Sequence, residues 1–210
     1  MQKGCYIVFE GVVGTGKTTQ SRRFAESLEA HFPDREIIWT REPGGDTIAE
    51  AIREIVQARS FTVTMDPICE AYLFAAARAQ SLRSIVRPAV DRGAIVISDR
   101  NYVSSVAFQG FGRGLGLETI LEINHRAIQA CPPNFLVFLD VPLDIALART
   151  SDRAGDKFES LDKAFFEKVA EGYKAMSQHP LLKPIWHRVD AHAPVEEVFK
   201  RIEAIIKPCL

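Results

Sequence analysis

The chain has 210 residues, a formal net charge of −1, and 47% apolar and 25% charged residues. That length suits one α/β domain with a full core, and the composition is that of an ordinary globular protein. The near-zero charge argues against nucleic acid or an anionic membrane surface as a partner, and no apolar run approaches the length of a membrane span. Four cysteines (Cys5, Cys69, Cys131 and Cys209) are scattered without a C-x-x-C, as expected of reduced thiols in a cytoplasmic protein. Met1-Gln2-Lys3-Gly4 runs directly into a strand pattern with no signal-peptide signature, which points the same way.

In chain order, Cys5-Tyr6-Ile7-Val8-Phe9-Glu10 reads as a short buried strand. Gly11-Val12-Val13-Gly14-Thr15-Gly16-Lys17-Thr18 follows and fits G-x-x-x-x-G-K-[ST], the loop that cradles the phosphates of a nucleoside triphosphate. Residues 19–32 then read as a helix with Phe24 and Leu28 on one face. Strand, glycine loop and helix are what the chemistry requires. The glycines let backbone N–H groups face phosphate oxygens, and the helix N-terminus adds partial positive charge. Gly11 through Thr19 is thus the expected ATP-binding segment, with Lys17 reaching the β- and γ-phosphates and the Thr18 hydroxyl available to Mg²⁺.

A second strand is predicted over 36–40, followed by Arg41-Glu42-Pro43-Gly44-Gly45, a turn by default. Helical patterns cover 46–58 and 67–91. On the second of these, Phe74 and Arg78 are spaced i, i+4 and share a face, so one can stack on a flat base while the other bonds its edge. The same spacing more often marks a core Phe under a surface Arg. The third strand, 94–99, ends in Asp99, placed to orient Mg²⁺ beside Thr18. Arg100 follows at once with a planar fork suited to phosphate. A helical stretch over 102–130, broken near Gly110 to Gly116, carries Ser105 and Gln109 at i, i+4 with Phe108 beside them. Strands at 135–140 and 185–190 and helices at 142–150, 162–178 and 194–207 complete the pattern. The βαβα alternation predicts a doubly wound parallel sheet of five strands flanked by helices, with ligands beyond the C-terminal strand ends. Residues 1–210 read as a single P-loop kinase domain with a small lid segment at about 149–160.

Together these pieces resemble the bacterial thymidylate kinase (dTMP kinase) family of P-loop nucleoside monophosphate kinases. The matching segments are Phe9-Glu10-Gly11, Thr40-Arg41-Glu42-Pro43-Gly44-Gly45, Phe74-Ala75-Ala76-Ala77-Arg78 and Asp99-Arg100, followed by Ser104-Ser105 and Ala107-Phe108-Gln109-Gly110. The resemblance implies γ-phosphoryl transfer from Mg·ATP to dTMP, giving dTDP, by a homodimer. By the same resemblance Phe74 stacks on thymine, Arg78 reaches a base carbonyl, and Ser105 and Gln109 complete recognition of the base edge. Arg53 and Arg100 hold the acceptor phosphate, Glu42 lies at the sugar–phosphate end, and Phe108 excludes a ribose 2′-OH. Two departures stand out. Val13 occupies a loop position where the family usually carries Asp or Glu, and Asp156-Lys157-Phe158-Glu159 stands where the family lid has D-R-x-E. With no arginine in the loop, Arg153 is the expected catalytic lid arginine, and Arg149 the second candidate. The competing readings are a related P-loop deoxynucleoside or nucleotide kinase with another acceptor, with Glu10 or Glu42 as general base, and a non-catalytic nucleotide-binding module. Against a GTPase switch, the chain has no N-K-x-D, and strand 3 does not end in D-x-x-G.

Overall fold

The five apolar runs become five strands: β1 (Cys5–Glu10), β2 (Ile37–Arg41), β3 (Ile95–Asp99), β4 (Phe135–Asp140) and β5 (Trp186–Asp190). In the computed structural model, which describes residues 3–58, 61–150 and 161–210, they form one parallel sheet in the order β2-β3-β1-β4-β5. Both β1 and β3 are buried along their whole length, which explains their unbroken apolar sequences. Side chains alternate across the sheet. Cys5, Ile7 and Phe9 face a core shared with α1 (Lys17–His31) and α9 (Val195–Ile206). Tyr6 and Val8 face a second core built from α3 (Pro67–Ser81), α6 (Leu117–Ile128) and α8 (Lys163–Gln178).

The helices follow the sequence pattern, with instructive differences. Asp46 caps α2 (Thr47–Gln57) by accepting from the Ala49 N–H, and its other oxygen accepts from Gln80 and Ser84, tying α2 to α3. The stretch predicted as one helix over 67–91 instead widens into a π-turn at Leu82–Val86 before α4 (Arg87–Asp91). Pro88 gives the reason: it has no N–H, and its ring crowds the carbonyl four residues back. The stretch over 102–130 is α5 (Tyr102–Ser105), a second π segment at Val106–Gly112, and α6. Gly114 and Gly116, at φ 79° and 85°, separate the last two, close to the expected break. Among the described residues, the remaining α-helix is α7 (Leu143–Ala148). α8 lies against the π segment, and a Cβ at Gly172 would come within 2.7 Å of the Ala107 Cα.

The connections from β1 and β3, which are neighbours, leave toward opposite faces of the sheet. The crevice between their C-terminal ends is therefore the topological switch point at which such sheets bind ligands. Register pairs Phe9 and Arg41 with Asp99, so β1, β2 and β3 finish level there.

Candidate active site

The glycine loop leaves β1 at the switch point. Gly14 adopts φ 73°, and a Cβ there would lie 2.0 Å from the Ala146 carbonyl oxygen, so no other residue fits without moving α7. No side chain caps the N-terminus of α1, which suits a helix end that receives phosphate. Lys17, 6% exposed, donates from its ammonium to the Val12 carbonyl at 2.6 Å and to Thr15 Oγ1 at 3.3 Å, folded back over its own loop. Thr18 Oγ1 donates to Asp99 Oδ2 at 2.5 Å, joining residues 81 apart in sequence. The other oxygen, Asp99 Oδ1, is buried without a hydrogen-bond partner. A hydroxyl and a carboxylate with an unmet buried oxygen form a hard donor set, which fits Mg²⁺.

Next to this pair, Arg100 takes a left-handed backbone conformation, φ 78°, unusual for a residue with a Cβ. Its Nη1 donates to the Gly11 carbonyl at 3.1 Å, to Ser104 Oγ at 2.9 Å and to Tyr173 Oη at 3.1 Å. Its guanidinium also lies 5.3 Å from the centre of the Phe108 ring. Glu10, fully buried, accepts from the backbone N–H groups of Asn101 and Ser104, from Ser104 Oγ and from Tyr173 Oη. Burial, with the Glu10 carboxylate, pushes the Tyr173 phenol far up, so it stays a neutral donor. Glu10 thus works as a buried anchor for the start of α5 and for α8.

At the far end, Arg78 and Glu42 form a buried ion pair, Nε to Oε2 at 2.6 Å, with both side chains 2% exposed. Arg78 Nη1 also donates to Asn124 Oδ1 at 2.5 Å. Burial raises the Glu42 carboxyl above its ordinary range more strongly than Arg78 lowers it. The alternative of a surface Arg over a core Phe is therefore set aside: Arg78 is interior, and Phe74 is only partly buried. Arg53 Nη1 donates to the Pro43 carbonyl at 2.8 Å, bracing the turn that carries Glu42.

Both ends open into one cavity of about 670 Å³. Thr18, Thr19 and Asp99 border it at the loop. Glu42, Arg53, Phe74 and Arg78 border it from the turn after β2, from α2 and from α3. Arg100, Ser105, Phe108 and Gln109 close it from the segment after β3. Among the described residues, eight buried side-chain polar atoms lack partners, and those of Glu42, Asp99, Asn101, Ser105 and Gln20 belong to residues lining this cavity. Such concentration marks a site that awaits a polar ligand. Val13 and Lys17 line the cavity as well, whereas Gly11 and Val12 sit behind it, presenting carbonyls to Arg100 and Lys17. Arg149 reaches it and donates to the Gly14 carbonyl at 3.4 Å, while Arg153 lies outside the described residues. Contributors that escaped sequence reasoning include Tyr173, Asn124, Asn101, Gln20, Glu70 and Arg113. Glu70 had a legible signal, for it precedes Phe74 and Arg78 on the same i, i+4, i+8 stripe of α3.

Comparison with known proteins gives a consistent set. The thymidylate kinase family profile matches residues 9–202. A thymidylate kinase of Leuconostoc mesenteroides is 41% identical over 100% of this chain and 98% of its own. Another, from Clostridium novyi, is 36% identical over 99% of this chain and 100% of its own. Among solved structures, the crystal structure of thymidylate kinase from Ehrlichia chaffeensis superposes with a TM-score of 0.78 at 26% identity, covering 98% of this chain and 99% of the other.

Proposed function

The chain belongs to the thymidylate kinase family, and on that premise we propose how its own residues move a phosphoryl group. The reaction is phosphorylation of dTMP to dTDP with ATP as donor. What supports the division of labour below is a single observation: one cavity borders Lys17, Thr18 and Asp99 at one end and Phe74, Arg78 and Gln109 at the other. That arrangement suits two nucleotides meeting end to end.

At the donor end, the loop amides and the α1 N-terminus take the ATP phosphates, and Lys17 leaves the Val12 carbonyl to pair with their β- and γ-oxygens. Thr18 and Asp99 would hold Mg²⁺, which when bound would supply positive charge to the phosphates. At the acceptor end, Phe74 stacks on thymine while Arg78, Ser105 and Gln109 meet its edge. Arg53 and Arg100 fix the acceptor phosphate, and Glu42 lies toward the sugar and holds Arg78 in place. Phe108, packed edge-on against Phe165 and Phe166 at ring distances of 6.1 and 6.3 Å, fills the volume of a 2′-OH. A lid at about residues 149–160 closes this single kinase domain and delivers Arg153, or failing it Arg149, to the moving phosphoryl.

No general base is required, because a phosphate monoester with a second pKa of about 6 is already a nucleophile at neutral pH. The protein's task is alignment and charge neutralisation. The four hydrogen bonds that occupy Glu10, and the buried Arg78 pair that holds Glu42, weigh against the deoxynucleoside reading, which needs a free base.

We further assign the protein to the cytoplasm, since all four cysteines are free thiols, and to a homodimer. Six of the eight exposed large apolar side chains among the described residues fall between Ile48 and Tyr72, an unusual concentration for a surface that stays in water. A monomeric mass by light scattering would contradict the dimer. The substrate assignment is tested by an ADP-release assay offering ATP with dTMP, dUMP, dCMP, dAMP or dGMP. The fastest turnover is expected with dTMP. Faster turnover of another monophosphate, or no release above the acceptor-free blank, overturns it.

A further inference from the structure

We propose that Glu70, backed by Arg113, determines base specificity by fixing which end of the Gln109 amide faces the nucleobase. The inference rests on the reading of the cavity as a thymidylate site. A glutamine amide is ambiguous: its oxygen accepts and its nitrogen donates, and a half-turn exchanges them. At position 109 the half-turn is blocked by chemistry. Glu70, 1% exposed on α3, accepts from Gln109 Nε2 at 2.9 Å. The same carboxylate accepts from Arg113 Nε and Nη2, both at 3.3 Å. A carboxylate paired with a guanidinium offers only acceptors, so the amide oxygen cannot turn toward it without acceptor meeting acceptor. Arg113 is held in turn, its guanidinium 5.3 Å from the centre of the Phe165 ring. Two helical stripes thus face each other, Glu70, Phe74 and Arg78 on α3 and Ser105, Gln109 and Arg113 after β3.

The consequence is a cavity wall at Gln109 that presents an acceptor. Thymine offers a donor at N3–H, and cytosine offers an acceptor at the same ring position. A freely turning amide would serve both bases. A clamped one serves thymine and leaves cytosine with an unmet polar contact in a buried site, where it costs most. Neither Glu70 nor Arg113 needs to touch the base, so both are positioning residues. The role is specific to the acceptor, because Gln109 is bonded to α3, whose Phe74 and Arg78 belong to the end of the cavity proposed for the base.

The test is Glu70→Gln, which keeps the shape of the side chain but offers both a donor and an acceptor to Gln109. Steady-state kinetics with dTMP, and with dCMP as both alternative substrate and competitive inhibitor, reads the result. The KM for dTMP is expected to rise, and the preference for dTMP over dCMP to fall, by about tenfold or more, with the KM for ATP unchanged. The exchange E70Q/Q109E swaps the amide and the carboxylate between the two positions. The amide, now on α3, donates to the carboxylate, which again presents only acceptors toward the base. This double variant is expected to recover most of the preference. An unchanged preference in E70Q, an equal loss with both monophosphates, or failure of the exchange to recover it overturns the clamp. Wild-type turnover in the same assay separates the two ideas. If wild type uses dTMP but E70Q discriminates normally, only the clamp falls; if wild type does not use dTMP, the site reading falls and the clamp with it.

Discussion

Replacing Arg78 with methionine isolates what the buried pair with Glu42 contributes. Both side chains are 2% exposed and meet at 2.6 Å, so the change strands a carboxylate in the interior. Removing one partner of such a pair costs about 3–5 kcal/mol. The Asn124 Oδ1 bond is lost too, at about 1–3 kcal/mol, and burial of the methionine offsets a similar amount. A net loss of about 3–5 kcal/mol at pH 8 is expected, roughly 10 °C in Tm for a chain of this size. The pH dependence identifies the cause. Burial already raises the Glu42 carboxyl above its ordinary value of 4.5, and without the opposing Arg78 charge it rises further. Between the unfolded and folded values the native state binds more protons than the unfolded state, so stability is highest below the unfolded value and falls as pH climbs through the folded one. The Arg78→Met deficit should therefore shrink as the solution is acidified from about pH 8 to pH 5. Urea unfolding across that range, with Glu42→Gln in the same background, measures it. A deficit under about 1 kcal/mol, one that does not shrink at low pH, or one that Glu42→Gln fails to relieve refutes the reasoning.

Lys17→Ala should lower kcat by about a thousandfold or more with the fold intact, since the ammonium acts on charge that develops during transfer. A drop below about tenfold, roughly 1.4 kcal/mol of barrier, removes Lys17 from that role. Arg153→Ala should lower kcat by about a hundredfold, roughly 2.7 kcal/mol, with little change in dTMP affinity, because a lid cation meets the phosphoryl only after closure. Loss of kcat in Arg149→Ala but not in Arg153→Ala moves the role to Arg149, and full activity in both denies the lid a catalytic arginine.

The loop, the strands and most helix limits were legible because each is written locally: glycine spacing, apolar runs, caps and breaks. Residues that line the cavity are legible where a short motif holds them, as with Phe74 and Arg78 or Asp99 and Arg100. Their partners were not. Tyr173 meets Glu10 across 163 positions, and Arg78 meets Asn124 across 46. A lone tyrosine or asparagine in an amphipathic helix carries no local mark of such a meeting. The interior position of Arg78 was hidden for the same reason, since the acceptors that make it tolerable, on Glu42 and Asn124, arrive from other elements. The π segments were invisible because a widened turn depends on how backbone groups are met in three dimensions, beyond what periodicity encodes.

The twisted backbone at Arg100 has a consequence for anyone who would engineer this enzyme. A side-chain-bearing residue held at φ 78° carries strain of about 1–3 kcal/mol, and glycine would release it. The arginine's bonds to Gly11, Ser104 and Tyr173 pull the other way. A library sorted only by survival of heating therefore samples position 100 under conflicting pressures, and any clone that settles on glycine gains backbone ease while surrendering the phosphate contact proposed for Arg100. Heat selection and growth selection would diverge here first, so a stabilised lineage should have this codon held fixed from the outset.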